Sequence, residues 1–314
     1  MDRRLSVDLL KILLAVMVVG IHANPVKPLG HDAVLLTGQG LYRLSVPTFF
    51  VINGYFLHPV TLAGGTGRYV RRLLWLWVLW TALYLPGWWG LFDSPVWGQA
   101  VQTMLIGWWH LWYLPALAMA AAMAALVRGW TLRAQLALMA VTFGLGLGLV
   151  YGSALGIVVR PAWFVADSAA MWRNGVLMGF PFLMAGWLIR QTDFGTGWST
   201  GTVATLAGVG ILGVLIETLA LDRLFPRGVS HDMMLSLALA CPALLLLALR
   251  FARQSRNRNL GTYANGIYFL HVAFVILCIR TTDLPRPPIY AIAVFGSVLA
   301  IWGLIRTGLA RRLL

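Results

Sequence analysis

Charged side chains are scarce in this chain of 314 residues. Only 11% of its residues are Asp, Glu, Lys or Arg, and 60% are hydrophobic, whereas a soluble domain carries about 25% charged residues. This composition excludes an ordinary soluble domain. It indicates an all-α polytopic membrane protein, because helices satisfy their own backbone hydrogen bonds inside a bilayer.

Signatures of soluble enzymes and of metal sites are also missing. The two cysteines, Cys241 and Cys278, fall in apolar segments, so no disulfide framework is indicated. The sequence contains no Gly-rich phosphate loop, no Cys/His spacing typical of metal ligands and no G-x-S-x-G elbow. We therefore expect no bound metal, and a soluble nucleotide-binding or hydrolase module is unsupported.

The net charge of +14 comes from dispersed basic residues. They occur singly or in short runs between apolar segments, which is the pattern of membrane topology rather than of a nucleic-acid surface. We therefore expect contact with a lipid bilayer and no nucleic-acid partner. Nothing in the pattern indicates an oligomeric state.

Apolar runs predict about ten membrane-spanning helices in one membrane domain over residues 1–314. Alternating sides from a cytoplasmic N-terminus leaves more of the 24 basic residues inside than outside. This bias supports an inner (plasma) membrane protein with both termini in the cytoplasm. The outer set, which includes Arg43 and Arg173, is larger than topology requires, so we expect some of its members to have another role. The predicted spans cover residues 5–22, 41–57, 73–89, 111–127, 134–151, 173–189, 200–219, 233–249, 260–279 and 289–305.

Four glycines at a spacing of four residues fall at the fifth predicted span. They are Gly144, Gly148, Gly152 and Gly156. Small residues at this spacing let two membrane helices approach closely. The series therefore predicts a helix-packing face without a catalytic role.

The first span, SVDLLKILLAVMVVGIHA, carries three ionisable residues, Asp8, Lys11 and His22. Such side chains are costly inside a membrane, so they are candidates for a functional site. On a helix, Lys11 and His22 differ by about 20° around the axis and by about 16 Å along it. For Lys11, one interpretation is a side chain that extends to the lipid headgroups or pairs with Asp8. The other is a cationic contact for an anionic donor substrate that enters from the cytoplasm. His22 is a candidate general base, with a headgroup-level helix end as the alternative.

The second predicted span contains Arg43, Pro47, Asn53, Gly54 and Tyr55 in the run YRLSVPTFFVINGYFL. Proline frees a backbone carbonyl, and the Asn-Gly pair provides a flexible point in mid-helix. Polar groups at this depth are expected to face the interior of the bundle. Asn53 and Tyr55 are therefore candidates for substrate binding, and a kinked packing helix is the alternative interpretation.

Arginines precede the third span, and aromatic residues precede the fourth. The arginines are predicted to lie on the cytoplasmic side, where they fit the positive-inside rule and would equally suit the phosphates of a cofactor such as coenzyme A. The aromatic run GWWHLWY fits an interfacial belt or a stacking surface for a carbohydrate acceptor. Arg68, Arg71 and Arg72 are therefore candidates for binding the phosphates of a donor substrate. Trp109, His110 and Trp112 are candidates for binding a carbohydrate acceptor.

Two further titratable residues have no assigned partner in the sequence. Glu217 is the only glutamate and falls near the outer end of the seventh span, so it is a candidate to orient His22 or to take a proton itself. His271 falls near the middle of the ninth span. A hydrogen-bonded interior histidine and a functional one are equally consistent with that position.

These motifs together resemble the acyltransferase-3 family of integral membrane acyltransferases. The basic residue, ten intervening positions and histidine from Lys11 to His22 resemble that family's first-span signature, as does the start Ser6-x-Asp8. The stretch from Arg43 through NGYF is similar to its R…VP.FF…SGY segment. The resemblance extends over nearly the whole chain through HLWYL, which begins at His110, and GIYFLH near the end.

Two positions depart from the family's pattern. Lys11 stands where the family often has arginine, which keeps the charge but loses the bidentate fork. Asn53 stands where the family usually has serine, so a hydroxyl role is in doubt there. We expect the membrane module alone, without the hydrolase-like domain that some members carry.

The resemblance implies acyl transfer, usually of acetyl and sometimes of succinyl, from cytoplasmic acyl-CoA to a hydroxyl of a cell-envelope polysaccharide or lipid-linked glycan. It implies a donor-side role for Lys11, a catalytic role for His22 as base or acyl carrier, and a role for Arg43 beside the reacting thioester. A transporter or exporter of glycans or small solutes is the alternative, since it also explains many spans with polar groups at mid-membrane. A transporter does not need the ordered stripe of Lys11 and His22.

Overall fold

The computed structural model describes residues 4–88, 90, 98–159, 168–225, 228–251 and 259–314. These residues form helices joined by turns, and no strand occurs among them, so the prediction of an all-α protein is confirmed. Residue 89, the predicted end of the third span, lies outside the described residues. The α-helices are α1 (Leu5–Ala23), α2 (His31–Val34), α3 (Ser45–Leu62), α4 (Thr66–Leu83), α5 (Leu85–Trp88), α6 (Gly98–Ile106), α7 (Tyr113–Leu126), α8 (Leu132–Ala154), α9 (Phe180–Thr192), α10 (Thr200–Leu224), α11 (Leu237–Arg250), α12 (Leu260–Thr281), α13 (Arg286–Arg306) and α14 (Ala310–Leu313).

Among the described residues, five helices are long and apolar enough to cross a membrane by length and composition: α1, α8, α10, α12 and α13. Two more, α7 and α11, are apolar but shorter. Each predicted span overlaps one of the helices. The ten crossings and the cytoplasmic position of both termini stay predictions.

The first helix, α1, packs against α3, α11, α12 and α13. Its 19 residues extend over about 28 Å, close to the hydrocarbon thickness of about 30 Å. The helix ends because Asn24 adopts the left-handed conformation, with φ at 50°, and its backbone N–H donates to the carbonyl of Gly20. Lys11 therefore lies in the first half of a core helix, and His22 lies in its last turn.

An irregular backbone precedes α3. A π-helix, Leu35–Gly40, is followed by a 3-10 turn, Leu41–Leu44, and the α-helix starts only at Ser45. Pro47 therefore lies in the first turn of α3, where a proline removes no hydrogen bond from the helix interior. Pro47 therefore does not kink the interior of α3, and the irregular segment before the helix is what positions Arg43.

Two glycines allow α3 and α9 to pack closely. A Cβ atom at Gly54 would lie 1.8 Å from the carbonyl oxygen of Leu183, and one at Gly186 would lie 1.8 Å from the carbonyl oxygen of Val51. Each glycine thus faces the backbone of the other helix, an approach that only small residues permit. Gly54 serves this contact and is not a flexible point as the sequence suggested.

The glycine series of α8 does not form the predicted packing face. Nothing described lies within 4 Å of a Cβ atom at Gly144 or Gly148. A Cβ atom at Gly152 would contact Val158, in the turn that follows α8. The glycine of α8 that faces a distant segment is Gly146, where a Cβ atom would lie 3.1 Å from the carbonyl oxygen of Leu177. A spacing of four residues defines a face of a helix, but it does not determine whether another helix lies against that face.

Candidate active site

Three histidines from different parts of the chain meet at the end of α1. Nδ1 of His22 lies 2.9 Å from the carbonyl oxygen of Val18 and 3.1 Å from Nε2 of His271. The ring of His110 lies 6.2 Å from that of His22 and 5.0 Å from that of His271, between centroids. Sequence reasoning left the role of His271 open, and the structure places it in contact with the predicted catalytic histidine.

Aromatic side chains enclose this histidine cluster. The indole of Trp109 stacks on the imidazole of His22, with centroids 5.6 Å apart and an angle of 18° between the planes. Trp109 has a φ of 50°, which is uncommon for a residue other than glycine. The hydroxyl of Tyr268 donates to the backbone carbonyl of His110, and Trp112 lines the same cavity. Three residues proposed for the acceptor therefore lie beside His22.

An ion triad lies at the same end of α1. Asp232, in the loop before α11, accepts hydrogen bonds from Nη1 of Arg43 and, at 2.6 Å, from Nε of Arg173. Arg43 also donates to Gln39 at 2.6 Å, and Arg173 donates to Ser230 at 2.6 Å. The triad therefore places two guanidinium groups and one carboxylate beside His22.

The charges of the triad control the ionisation of its carboxylate. Burial by itself raises the pKa of Asp232, but the positive charges of Arg173 and Arg43 outweigh burial and hold that pKa well below its usual range. Asp232 is therefore ionised at neutral pH. Neither Asp232 nor Arg173 was a candidate site residue in the sequence; the excess of outer arginines was the one signal that pointed towards Arg173.

A cavity of about 980 Å³ lies at the other end of α1. We call it the Lys11 cavity. The ammonium of Lys11 also lies 5.5 Å from the centroid of the Phe56 ring, and Asp8 is buried. Arg68 and Arg71 are exposed and lie outside the described lining. The polar and charged residues that line the Lys11 cavity are Arg4, Asp8, Lys11, Arg72, Asn259, Thr262, Asn265 and Arg311.

A second cavity, of about 390 Å³, lies between the two ends of α1. We call it the middle cavity. Asn53 organises its wall, because the side-chain amide donates to the hydroxyl of Tyr113 at 2.9 Å and accepts from the hydroxyl of Tyr69 at 3.0 Å. Tyr55 lies elsewhere, since its hydroxyl accepts from Arg190 at 3.3 Å. The structure therefore brings Asn53 to the site but not Tyr55.

A third cavity, of about 80 Å³, contains His22, and we call it the His22 cavity. The three cavities form a series because neighbouring ones share lining residues. Tyr113 and Tyr268 line both the middle cavity and the His22 cavity. The residues shared by the Lys11 cavity and the middle cavity are Lys11, Arg72, Asn265 and Leu314.

Glu217 lies apart from His22 and has a different set of partners. Its carboxylate accepts from the backbone N–H groups of Leu235 and Ser236, at 2.6 and 2.8 Å, and from the hydroxyl of Tyr151. These contacts fix the turn that precedes α11. Glu217 therefore supports the loop that carries Asp232. The sequence suggested that Glu217 orients His22, but the structure places Glu217 away from that residue.

The arrangement combines a proton acceptor with a source of positive charge. The imidazole of His22 is suited to general-base chemistry, and the guanidinium groups of Arg43 and Arg173 are suited to stabilising a developing negative charge. The Lys11 cavity presents several basic side chains to an anionic ligand. Together these features fit a transfer reaction with a charged donor.

Comparisons with known proteins identify the family of this chain. The chain is 26% identical over 292 residues to a serine/alanine racemase of Enterococcus gallinarum, covering 85% of this chain and 40% of the relative. It is 24% identical over 296 residues to an amino-acid racemase of Enterococcus faecalis, covering 87% and 41%. The chain thus spans about two fifths of the length of these relatives, and no solved structure matches it significantly. The model of the acyltransferase-3 family, described as an acyltransferase domain, matches residues 4–306, and the chain therefore belongs to that family.

Proposed function

We propose that this chain is an inner-membrane protein that transfers an acetyl group from acetyl-CoA to a hydroxyl of a cell-envelope polysaccharide or lipid-linked glycan. The acetyl-CoA would enter from the cytoplasmic side. Membership of the acyltransferase-3 family supports the reaction class. The donor, the acceptor and the membrane are the proposed part.

The observation that carries the proposal is the series of three cavities along α1. The Lys11 cavity offers the basic side chains of Arg4, Lys11, Arg72 and Arg311, which suit the phosphates of coenzyme A. The extended arm of the donor would follow the middle cavity past Asn53. The thioester would then reach the His22 cavity, which is too small for a long acyl chain.

The chemical step uses His22 as a general base. The acceptor hydroxyl gives its proton to the imidazole while its oxygen attacks the thioester carbonyl carbon. The carbon–sulfur bond then breaks, and the sulfur leaves as the thiol of coenzyme A with the proton from the imidazolium. The positive charges of Arg43 and Arg173 would stabilise the negative charge on the carbonyl oxygen during the attack.

The acceptor would approach through the aromatic residues beside His22. Trp109 is partly exposed and lines both the His22 cavity and a neighbouring cavity of about 540 Å³. That neighbouring cavity is also lined by Trp88, Trp108 and Arg280. Indole faces that stack on sugar rings would leave a sugar hydroxyl close to the imidazole.

The test is label transfer in proteoliposomes that contain the purified protein, radiolabelled acetyl-CoA and lipid-linked glycans extracted from the membrane. His22→Gln removes the base and is expected to lower the transfer rate at least about 100-fold, the usual contribution of general-base catalysis. The matched control is His31→Gln, since His31 is exposed and lies outside the described cavities; it should retain the wild-type rate. Undiminished transfer by His22→Gln would overturn the mechanism.

Transport is the alternative that the same proteoliposomes distinguish. Uptake of a glycan or a small solute without acetyl-CoA, together with no labelled acceptor, would favour a transporter. We do not propose racemisation for this chain. The relatives named as racemases are matched over only about two fifths of their length, whereas the acyltransferase model covers residues 4–306.

A further inference from the structure

The contact between His22 and His271 is not used by the mechanism above. His271 is fully buried in α12, and its Nε2 atom lies 3.1 Å from Nδ1 of His22. The two residues are 249 positions apart. A hydrogen bond between two imidazoles requires one nitrogen with a proton and one without, so the position of each proton decides what His22 can do.

The neighbouring carbonyls determine which nitrogens carry protons. Nδ1 of His22 lies 2.9 Å from the carbonyl oxygen of Val18, and Nδ1 of His271 lies 2.9 Å from that of Ile267. A carbonyl oxygen only accepts, so each Nδ1 atom carries its proton when the ring is neutral. Nε2 of His271 then carries no proton and offers its lone pair. It accepts from the Nδ1–H of His22, which also points towards the carbonyl oxygen of Val18.

We propose that His271 is a positioning residue that holds His22 in the Nδ1–H tautomer and leaves Nε2 of His22 as the base. The inference rests on the proposed function, because it names the nitrogen that takes the acceptor proton. His271 touches His22 and acts through it. When Nε2 of His22 is protonated, the lone pair of His271 still accepts from Nδ1–H, so the contact persists through the proton transfer.

A structural role alone does not require this arrangement. The neutral ring of His271 has one donor, which the carbonyl of Ile267 accepts from, and one acceptor, Nε2, which many other buried donors would satisfy equally well. Here that acceptor faces Nδ1 of His22, which gives the catalytic ring a second partner in addition to the carbonyl of Val18. It also restricts rotation of that ring, which Trp109 stacks against on one face.

Two substitutions at position 271 separate the acceptor from the packing. His271→Gln keeps an acceptor oxygen near the position of Nε2, whereas His271→Leu fills similar space without an acceptor. We expect His271→Leu to lower kcat about 10- to 100-fold, since misplacing a catalytic group by about 1 Å can cost about 100-fold, with KM for acetyl-CoA nearly unchanged. His271→Gln should recover most of kcat. His31→Gln serves as the control.

Nitrogen NMR of the histidine-labelled protein in lipid bilayers, without substrate, tests the tautomer directly. His22 should show a protonated Nδ1 and an unprotonated Nε2, with the Nδ1 proton close to an unprotonated Nε2 of His271; His22→Gln assigns the signals. Protonation of His22 on Nε2, or of His271 on Nε2, would overturn the inference. So would equal kcat values for His271→Leu and the wild type.

The two measurements also separate this inference from the proposed function. If the wild type transfers no acetyl group but the NMR signals are as expected, the proposed function fails and the positioning of His22 stands. If acetyl transfer occurs and the two histidines show other tautomers, the function stands and the role of His271 is refuted.

Discussion

Lys11 and His22 share one helix but have different surroundings. Lys11 lies beside Phe56 and lines a wide basic cavity. His22 lies among Trp109 and His271 in a much smaller one. The wide cavity at Lys11 suits electrostatic attraction of an anionic ligand. The small cavity at His22 suits direct contact with a single reacting group.

The role of Lys11 is expected to depend on its charge. Lys11→Met removes the charge from the Lys11 cavity and should raise KM for acetyl-CoA about 10- to 100-fold, because hydrogen bonds to charged groups contribute about 1.5–3 kcal/mol. Lys11→Arg should keep most of the activity, as arginine provides the same charge. Initial rates at varied acetyl-CoA measure both effects.

The matched control is the chain's other lysine. Lys27 is exposed in the turn after α1 and lies outside the described cavities. Lys27→Met should leave KM unchanged. Equal KM values for Lys11→Met and Lys27→Met would refute a donor-side role for Lys11.

The carboxylate of Asp232 is expected to stabilise the fold as well as the site. Asp232→Asn removes the carboxylate that pairs with the guanidinium groups of Arg43 and Arg173, and breaking a buried ion pair costs about 3–5 kcal/mol. We expect a clearly lower Tm by tryptophan fluorescence in detergent. The control is Asp222→Asn, because Asp222 pairs with the exposed His31 and such pairs contribute about 0–1 kcal/mol. Similar Tm values for both variants would contradict the prediction.

The low pKa of Asp232 determines when this stabilisation is lost. A carboxyl group whose folded pKa is below its unfolded pKa stabilises the protein at all pH values above the unfolded one, about 3.9. The contribution of Asp232 is therefore complete at neutral pH. It decreases as the pH falls below the unfolded pKa, and it is gone once acid also protonates the carboxylate in the folded protein.

At the level of the helices, the contact between α3 and α9 is the tightest backbone approach in the site's surroundings. This contact helps to fix the position of Asn53 at the middle cavity, because Asn53 precedes Gly54 in α3. The helix that positions Asn53 thus depends on a residue that has no chemistry of its own.

Alanine at either glycine is expected to separate these helices. In Gly54→Ala or Gly186→Ala, the added Cβ atom would lie 1.8 Å from a carbonyl oxygen of the facing helix, and overpacking of this kind costs about 1–3 kcal/mol or more. The expected result is a lower Tm and less folded protein in detergent. Gly148→Ala in α8 is the control, since nothing described lies within 4 Å of its Cβ position. A Tm for Gly54→Ala equal to that of Gly148→Ala would contradict the packing.

At the level of the whole molecule, the site is assembled from distant parts of the chain. The His22 cavity takes residues from α1, α3 and the turn before it, α7 and the segment before it, the segment before α9, the loop before α11, and α12. No single element contains both the predicted base and the positive charge beside it. Substitutions in the loop before α11 should therefore affect the reaction although this loop has no catalytic motif.

Sequence determined the helical class and the stripe of Lys11 and His22, because composition and a period of 3.6 residues act within one helix. It also identified the family through the motifs of the first and second spans. Only the tertiary structure placed His271 on His22 and joined Asp232 to Arg43. Those contacts depend on how all the helices pack, and the sequence pattern of one helix contains no information about which distant residue lies opposite each of its faces.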